Sequence, residues 1–471
     1  MGRLGGPGGG WGVLATAFAL GGCALVGPDY LRPAAIVPTH YKEIKGWKLG
    51  QPRDDIDKGA WWSIFRDPEL DVLEAQVEIS NQTLKADEAN YREAQALIAE
   101  ARAGLYPTVT GNGQVQRDNT LVKPLTTLSG NVSASWTPDI WGKIRRTIES
   151  QAAGAQASAA DLDNAKLSAQ SSLATAYFEL RATDSLKDLL ADTVKQYMRS
   201  LEITQNKKAA GTAAQSDVIT AQALVLGAQS QEINTGVARA QFEHAIAVLM
   251  GRPPAGLSIP HGPLTRLRPV IPVSLPSSLL ERRPDIAAAE RTMQEQNALI
   301  GVAIAAYYPD LTLSGLFGAA GSPGVKALAG SNPVWSIGLS LAETLFNGGL
   351  TDAQVAAARA TYEASVATYR ETVLTAFQQV EDQLAAIRIL GQEEGVQAQA
   401  VAAAEQAVQI ALNQYRAGTA DFTTVVTAEA IALNDEESLL TTRQEWVEAA
   451  VALIVALGGG WSEVKLPKPT E

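Results

Sequence analysis

The chain has 471 residues and a formal net charge of −12, and 46% of its residues are hydrophobic. A chain this acidic lacks the basic surface that a nucleic-acid partner requires, so we expect no nucleic-acid ligand. One cysteine and three scattered histidines provide neither an intramolecular disulfide nor a metal-ligand spacing. No later stretch reaches 18 uninterrupted apolar residues, so any further membrane contact should come from β-strands or an interfacial helix.

The single cysteine, Cys23, closes a leader-like N-terminus. Arg3 precedes a short apolar run at residues 11–20, and the three residues before Cys23 are one leucine and two glycines, as signal processing favours. This pattern resembles a bacterial lipobox, so we expect residues 1–22 to be a signal peptide and Cys23 to carry a covalent lipid. Several acyl chains there would give a permanent anchor. A buried thiol after an ordinary signal peptide is the alternative.

The rest of the chain contains an internal sequence repeat. QALIAEARAGLYP at residues 95–107 returns as NALIGVAIAAYYP at residues 297–309, and AAGTAAQSDVITAQ at residues 209–222 returns as RAGTADFTTVVTAE at residues 416–429. Ordered matches of this kind indicate an internal duplication. The predicted organisation is a lipidated extended segment (23–68), a first repeat (69–252), a linker (253–275), a second repeat (276–461) and a C-terminal tail (462–471).

Each repeat begins with a helix that ends at a Tyr-Pro pair, because proline stops a helix and favours extended geometry before it. Two segments with period-two alternation follow, joined by a polar, glycine-containing loop, and this is the pattern of a β-hairpin. About 10 residues is the length that a tilted membrane strand needs. The predicted strands are residues 108–117, 128–137, 310–318 and 334–341.

Two long helical runs complete each repeat. No proline occurs between Pro138 and Pro253, or between Pro333 and Pro467. Apolar residues spaced about 3.5 apart in the second run indicate coiled-coil packing, and abundant alanine permits close helix contact. Each run is broken once, at Ala-Gly-Thr-Ala, where glycine suits a helix end. We therefore expect each long helix to turn back at these glycines.

Four strands in one chain leave two unpaired sheet edges, which hydrocarbon does not tolerate. Three copies would provide twelve strands, enough for an open lumen. The predicted fold is mainly α with a membrane β part: a homotrimer forming a 12-stranded β-barrel and a 12-helix α-barrel tunnel.

Four short segments carry a family resemblance: GPDYLRP (27–33), WWSIFRDPEL (61–70), LPSSLLERRPDI (275–286) and ALGGGW (456–461). With the repeats, they resemble the TolC-like outer membrane efflux protein family in its lipoprotein branch. The resemblance implies a trimeric duct in the outer membrane of a Gram-negative bacterium. It would extend into the periplasm and export drugs or other toxic small molecules. Its partners would be outer membrane lipids, a periplasmic adaptor and an inner-membrane pump of the resistance-nodulation-division type. No cofactor is implied beyond the lipid on Cys23.

The resemblance also assigns residues at the two Ala-Gly-Thr-Ala turns. Those expected to meet the adaptor are Gly211, Thr212, Gly418 and Thr419, although a tight helix turn would need glycine in any case. Those expected at the periplasmic aperture are Asp217, Tyr415, Asp421, Thr424 and Thr427. The family's usual acidic positions in the second turn fall on Thr424 and Thr427, so the resemblance does not identify the gate residues. A ring of three Asp217 carboxylates would still favour cations.

Two other classes of function are alternatives. A periplasmic coiled-coil lipoprotein without pore activity explains the helices and Cys23, but not the four alternating segments. An enzyme is disfavoured because the chain has no phosphate-binding loop, nucleophile motif or metal spacing. Trp61, Trp62 and Phe65 are expected to be packing residues. We expect no buried cluster of perturbed charges, and we expect the acidic run 435–437 to be a solvated helix face.

Overall fold

The computed structural model describes residues 25–35, 37–43, 58–119, 124–269, 271, 282–321 and 333–459. Cys23, the predicted signal peptide and the predicted tail lie outside the described residues. Within this part of the chain, no helix has both the length and the apolarity needed to cross a bilayer.

Seven α-helices and four β-strands make up the described chain, together with short 3-10 helices at Lys58–Phe65 and Pro254–Gly256. The elements are, in order, α1 (Pro68–Ser80), α2 (Gln82–Ala103), β1 (Thr108–Asp118), β2 (Leu125–Trp136), α3 (Lys143–Ala209), α4 (Gln215–Leu249), α5 (Pro284–Ala305), β3 (Asp310–Gly321), β4 (Pro333–Ala342), α6 (Leu350–Ala417) and α7 (Phe422–Ala456).

The four predicted strands are confirmed and form one antiparallel sheet in the order β1-β2-β3-β4. Two boundaries differ from the prediction by three residues, and the others agree to within one residue. β2 begins at Leu125 rather than at residue 128, because Leu125 pairs with Asp118 at the end of β1. β3 continues to Gly321 rather than ending at residue 318, because Gly321 pairs with Leu128 on β2. Backbone pairing with a neighbour therefore extends both strands beyond their alternating core.

The sheet has one apolar and one mostly polar face, since successive side chains point to opposite sides. Val132 faces Phe317 across the β2–β3 contact, and both are exposed on the apolar face. On the other face, the Thr110 and Ser133 hydroxyls share a 2.8 Å hydrogen bond, and Asn112 donates to Asn131 over 3.3 Å.

The predicted long helices are present and pack in antiparallel pairs, α3 with α4 and α6 with α7. The 67 residues of α3 span about 100 Å at about 1.5 Å per residue. Both long helices begin after a left-handed glycine, Gly142 in the first repeat and Gly349 in the second. The Asp139 carboxylate accepts hydrogen bonds from the backbone N–H groups of Ile144 and Arg145, which satisfies free donors in the first turn of α3.

The main hydrophobic core lies at mid-length along the helices, away from both the sheet and the hairpin turns. Trp61 and Trp62 are buried there in an edge-on contact with ring centroids 5.8 Å apart. Phe65 packs on Phe178 at 4.9 Å, and the Tyr177 hydroxyl donates to Asp67 over 2.7 Å. The three aromatic residues of the 58–65 turn are packing residues, as predicted.

The N-terminal segment is an extended strap along the helices. The backbone N–H of Val26 donates to the Trp141 carbonyl over 3.2 Å, beside the sheet. Gly27 has φ 95° and crosses α5 so closely that a Cβ would lie 2.4 Å from the Gly301 Cα. Further along, Glu43 pairs with Arg388 on α6 at 2.5 Å. The strap therefore joins both repeats from the sheet to the middle of the helices.

Single buried carboxyls with a raised pKa occur, and the expectation of no buried cluster of perturbed charges did not anticipate them. Glu74 on α1 is 0% exposed, and neither of its carboxylate oxygens has a hydrogen-bond partner. Burial and the neighbouring Glu78 carboxylate raise the pKa of Glu74 to about 9. The residues at 435–437 are half-buried rather than solvated, and burial raises the pKa of both Glu436 and Glu437.

We predict that Glu74 makes the stability of the fold fall as pH rises. The folded chain keeps this carboxyl protonated up to a pH of about 9, whereas the unfolded chain releases the proton near its ordinary pKa of 4.5. Each pH unit between these values should therefore remove about 1.4 kcal/mol of stability. Glu74→Gln should flatten the pH dependence of the melting temperature between pH 5 and 8. Glu88→Gln, on an exposed face, should leave it unchanged, and equal slopes for all three proteins would contradict the prediction.

Candidate gate at the tip of the helical hairpins

The two hairpins end in turns of the same construction, and we call residues 197–222 and 411–432 together the tip. Gly211 has φ 76° and Gly418 has φ 77°, the left-handed conformation that suits glycine at a helix end. In the first turn, the backbone N–H of Thr212 donates to the Lys207 carbonyl over 2.8 Å, and its hydroxyl donates to the same oxygen over 3.0 Å. Thr419 repeats both contacts on the Gln414 carbonyl, at 2.9 and 3.1 Å.

The repeated turn has a conformational explanation. A Cβ added at either glycine would meet nothing within 4 Å, so the glycines are required by their backbone angles and not by crowding. The threonines satisfy carbonyls at the helix ends. All four residues predicted for adaptor contact are therefore explained by the turn itself, and the turns lie at an exposed end of the molecule.

Tyr415 lies inside the tip. Its ring is buried against Phe422, with centroids 5.2 Å apart, and Val425 belongs to the same cluster. The Lys207 ammonium of the first hairpin lies 4.4 Å from the centre of the Tyr415 ring and donates to the Tyr415 carbonyl. A cation over an aromatic face contributes about 0.5 to 2 kcal/mol, depending on desolvation. Lys207 therefore links the two hairpins, a contact that sequence reasoning missed.

The other predicted aperture residues divide between two places. Asp217 is half-buried at the start of α4. Burial of Tyr415 is the main cause that raises the pKa of this tyrosine, and the Asp217 carboxylate raises it further. Asp421, Thr424 and Thr427 are exposed and line one shallow groove at the start of α7. Within one chain, the structure therefore brings Asp217 towards Tyr415 and keeps the two threonines on a separate surface.

A second contact between the hairpins was also missed. Glu429 on α7 is buried, and one of its oxygens accepts a 2.5 Å hydrogen bond from the Ser200 hydroxyl on α3. Its other oxygen, Oε2, has no hydrogen-bond partner. Burial raises the pKa of Glu429 to about 7, against the opposing effect of the Ser200 hydrogen bond. The carboxyl can therefore change its protonation state near neutral pH.

The sequence held one signal for Glu429. Phe422, Val425, Glu429 and Ala432 are spaced by threes and fours and share the buried stripe of α7. A glutamate on such a stripe is a candidate buried carboxyl. Its partner Ser200 lies 229 positions away in the chain, and no local pattern predicts that contact.

The chain matches known proteins along nearly its whole length. The sequence profile described as outer membrane efflux protein matches residues 73–252 and 275–459. The chain is 28% identical over 459 residues to the toluene efflux pump outer membrane protein TtgC of Pseudomonas putida, covering 95% of each chain. It is 29% identical over 460 residues to nodulation protein T of Rhizobium leguminosarum bv. trifolii, covering 95% of this chain and 97% of the relative.

A solved structure of the outer-membrane channel OprN matches with a TM-score of 0.86 and 28% identity, covering 93% of this chain and all of that one. The resemblance drawn from the four short segments and the repeats is thereby confirmed.

We predict that Glu429 makes the packing between the hairpins sensitive to pH. Because its folded pKa is raised to about 7, the packed tip retains a proton that the separated helices release above a pH of about 4.5. Packing should weaken as pH rises from about 5 to 7, by up to about 3 kcal/mol, and change little above that. Hydrogen exchange of the segments around Ser200 and Glu429, corrected for intrinsic rates, should show this loss of protection.

Glu429→Gln should abolish that pH dependence, because the amide cannot ionise. Glu405→Gln, on an exposed face of α6, is the matched control and should behave like the unmodified chain. If protection in the Glu429→Gln variant still falls between pH 5 and 7, another group controls the packing.

Proposed function

The chain belongs to the outer membrane efflux protein family, and from this premise we propose that three copies form one duct. The duct crosses the outer membrane and extends through the periplasm along the helical hairpins. Small molecules such as drugs or other toxic compounds enter it from an inner-membrane pump through a periplasmic adaptor. The proposal rests above all on one observation: the four-stranded sheet has an exposed apolar face and two edge strands that pair on one side only within the described residues.

The apolar face supports contact with lipid. Val115, Phe317, Trp335, Ile337 and Leu339 all lie exposed on it, and a surface of this kind requires a lipid or protein cover. The opposite face carries hydroxyl and amide side chains that suit water. In hydrocarbon, unpaired backbone groups along β1 and β4 would be costly, so other copies of the sheet must pair with them.

Relatives support the choice of partners. One relative is named as the outer membrane protein of a toluene efflux pump. We infer that this chain likewise works with a pump, of the resistance-nodulation-division type. The adaptor would dock on the exposed turns at Gly211-Thr212 and Gly418-Thr419.

The strap supports a lipid anchor on Cys23. Leu25, two residues later, lies against Gly142 where the first hairpin leaves the sheet. An acyl group on Cys23 would therefore start near the strand ends, at the level where a membrane leaflet would meet the sheet. The anchor and the sheet would hold the same membrane.

The family's role is transport, and we infer that the chain itself catalyses no reaction. A coiled-coil lipoprotein without a pore, the alternative considered from sequence, would leave the apolar face of the sheet without a function. The relatives named as efflux components also favour the channel.

We predict that the mature protein extracted in detergent is a trimer in native mass spectra, with one lipid adduct per copy. The same preparation should form pores in planar bilayers. Cys23→Ser, made with a cleavable signal peptide, should lose the adducts and keep the pores. A monomer that forms no pores would overturn the channel, whereas a pore-forming trimer without adducts would overturn only the anchor.

We predict that Lys207 holds the tip closed. Lys207→Met keeps the aliphatic stem but removes the ammonium that contacts the ring and carbonyl of Tyr415. Single-channel conductance or open probability should therefore rise several-fold. Lys208→Met is the matched control, because Lys208 contacts Gln215 within its own hairpin. If both variants changed the conductance or open probability equally, the change would come from the lost surface charge and not from the contact with Tyr415.

A further inference from the structure

One arginine lies on the apolar face of the sheet. Arg117, near the end of β1, shares this face with Val115, because side chains two residues apart on a strand point to the same side. Its side chain is exposed. Among the described residues of the four strands, Arg117 is the only charged residue on that face, since Asp118 and Asp310 belong to the polar face.

Arg117 lies at the end of the sheet that is remote from the helices. β1 starts at Thr108, shortly after α2, and runs away from the helices to Asp118. The duct proposed above extends into the periplasm along its helices, so this remote end of the sheet is the outer one. Arg117 is therefore a cation on the lipid-facing surface at the outer side of the membrane.

The other border of the apolar face is marked by Trp136. Its ring is partly exposed, and its indole N–H donates to the Leu105 carbonyl over 2.9 Å, at the end of the sheet that meets the helices. Tryptophan is enriched at membrane–water interfaces, so this ring marks the inner border.

The length of β1 then gives the level of the arginine. From Val109 to Arg117 the strand advances about 27 Å at about 3.4 Å per residue, which is about 21 Å along the membrane normal at a tilt of about 40°. The apolar band of such a sheet is about 25 Å tall. Because a long cationic side chain extends towards the interface, the guanidinium reaches the outer headgroups.

The surroundings of Arg117 define the chemistry of its partner. The neighbouring Asp118 lies on the polar face, where it accepts a hydrogen bond from Gln116 over 3.0 Å. No acidic residue of the described strands shares the apolar face with Arg117. A guanidinium forms paired hydrogen bonds with a phosphate, and anionic headgroups attract basic side chains at a membrane surface. The matching partner is therefore a lipid phosphate.

We propose that Arg117 binds a phosphate of lipid A, the phosphorylated glycolipid that anchors lipopolysaccharide. The proposal rests on the proposed function, because it requires the sheet to cross the outer membrane. The outer leaflet of that membrane consists largely of this glycolipid, and Arg117 lies at the outer end of the sheet. Thr126, directly opposite on β2 and on the same face, provides a hydroxyl that donates to the same phosphate.

The surface below this pair suits an acyl chain. Val115 pairs with Leu128, and the next pair on the same face is Gly113 with Gly130. A Cβ added at Gly113 would meet nothing within 4 Å, so the glycine pair leaves open space on the surface. An acyl chain of the bound lipid lies over the valine and leucine and fills that space, while its headgroup stays at Arg117.

Only the first repeat provides this cation on its described strands. The offset that relates Pro107 to Pro309 also relates Arg117 to Ala319 on β3. Ala319 pairs with Pro333 at the start of β4, and neither side chain can bind a phosphate. Each copy therefore has one such site, and a trimer has three.

Native mass spectrometry of the delipidated trimer, titrated with lipid A, tests the site. The unmodified trimer should bind up to three lipid A molecules, counted above any lipid on Cys23. Arg117→Gln should weaken this binding at least about tenfold, because the amide carries no charge and cannot form the paired contact. Arg117→Lys keeps the charge and loses the paired geometry, so its binding should fall between the two. Thr126→Val should weaken binding less than Arg117→Gln does.

Arg92→Gln is the matched control, because Arg92 is an exposed arginine on α2, below the sheet. This variant should bind lipid A like the unmodified trimer. Equal losses in Arg92→Gln and Arg117→Gln would show attraction by net charge alone and would overturn the site. Unchanged binding in Arg117→Gln would overturn it as well.

Two further lipids test the choice of ligand. Lipid A without its phosphates should bind equally weakly to the unmodified trimer and to Arg117→Gln. Phosphatidylglycerol should bind the unmodified trimer less tightly than lipid A. If phosphatidylglycerol bound as tightly, and lost the same affinity in Arg117→Gln, the site would accept phospholipids in general and the assignment to the glycolipid would be wrong.

Pore formation separates this proposal from the function on which it rests. Arg117→Gln trimers should form pores of unchanged conductance in planar bilayers, because Arg117 faces lipid and not the lumen. Pore-forming trimers whose lipid A binding does not depend on Arg117 would overturn the phosphate site alone. Unmodified protein that forms neither trimers nor pores would overturn the proposed function.

Discussion

The architecture depends on one constraint: the backbone N–H and C=O groups of a strand in hydrocarbon must all be paired. A four-stranded sheet pairs β2 and β3 on both sides and leaves one side of β1 and β4 open within the described chain. The duplicated sequence offers a way to pair these open sides, because strand pairing of the kind that joins the two repeats within a chain can also form between chains. What looks unfinished in one chain is the part of the structure that a second copy would complete.

Much of this fold could be predicted from sequence because backbone-specific residues mark its boundaries. Tyr106-Pro107 and Tyr308-Pro309 end helices and start strands, and Gly211 and Gly418 mark the turns of the long hairpins. The strand ends were less predictable, since pairing with a neighbour lengthened β2 and β3. The buried carboxyls were missed for a different reason. In α7, which is rich in alanine, the apolar stripe differs little from the other faces, so Glu429 gave a weak signal, and its partner Ser200 is distant in the chain.

Stability is distributed unevenly along the helices, and this suits a gate. The middle holds a large core with Trp61, Tyr177 and Phe178, tied further by the N-terminal strap. The tip holds a small cluster around Tyr415 and Phe422. Regions with few buried apolar contacts open at lower free energy than the global fold. The hairpins can therefore separate at the tip while the core keeps them aligned, and their cross-contacts there include polar ones: Lys207 with Tyr415, and Ser200 with Glu429.

The two tips share a turn but have diverged on their sides, and the divergence has an electrostatic meaning. The first hairpin carries Lys207 and Asp217, whereas the second carries Tyr415 and, on its exposed groove, two threonines. A trimer built from this chain would place one acidic side chain per copy near the buried tyrosine, rather than further rings from Thr424 and Thr427. Such a tip would attract cations less strongly than a tip with further acidic rings at those two positions.

The closed state of the tip would then depend more on the contacts between hairpins. In one of these contacts a lysine binds an aromatic face, and in the other a carboxyl has one oxygen without a hydrogen-bond partner. Both contacts weaken when water enters, because a hydrated ammonium gains less from a ring and a hydrated carboxyl ionises more readily. Opening of this tip would therefore reinforce itself once it had begun.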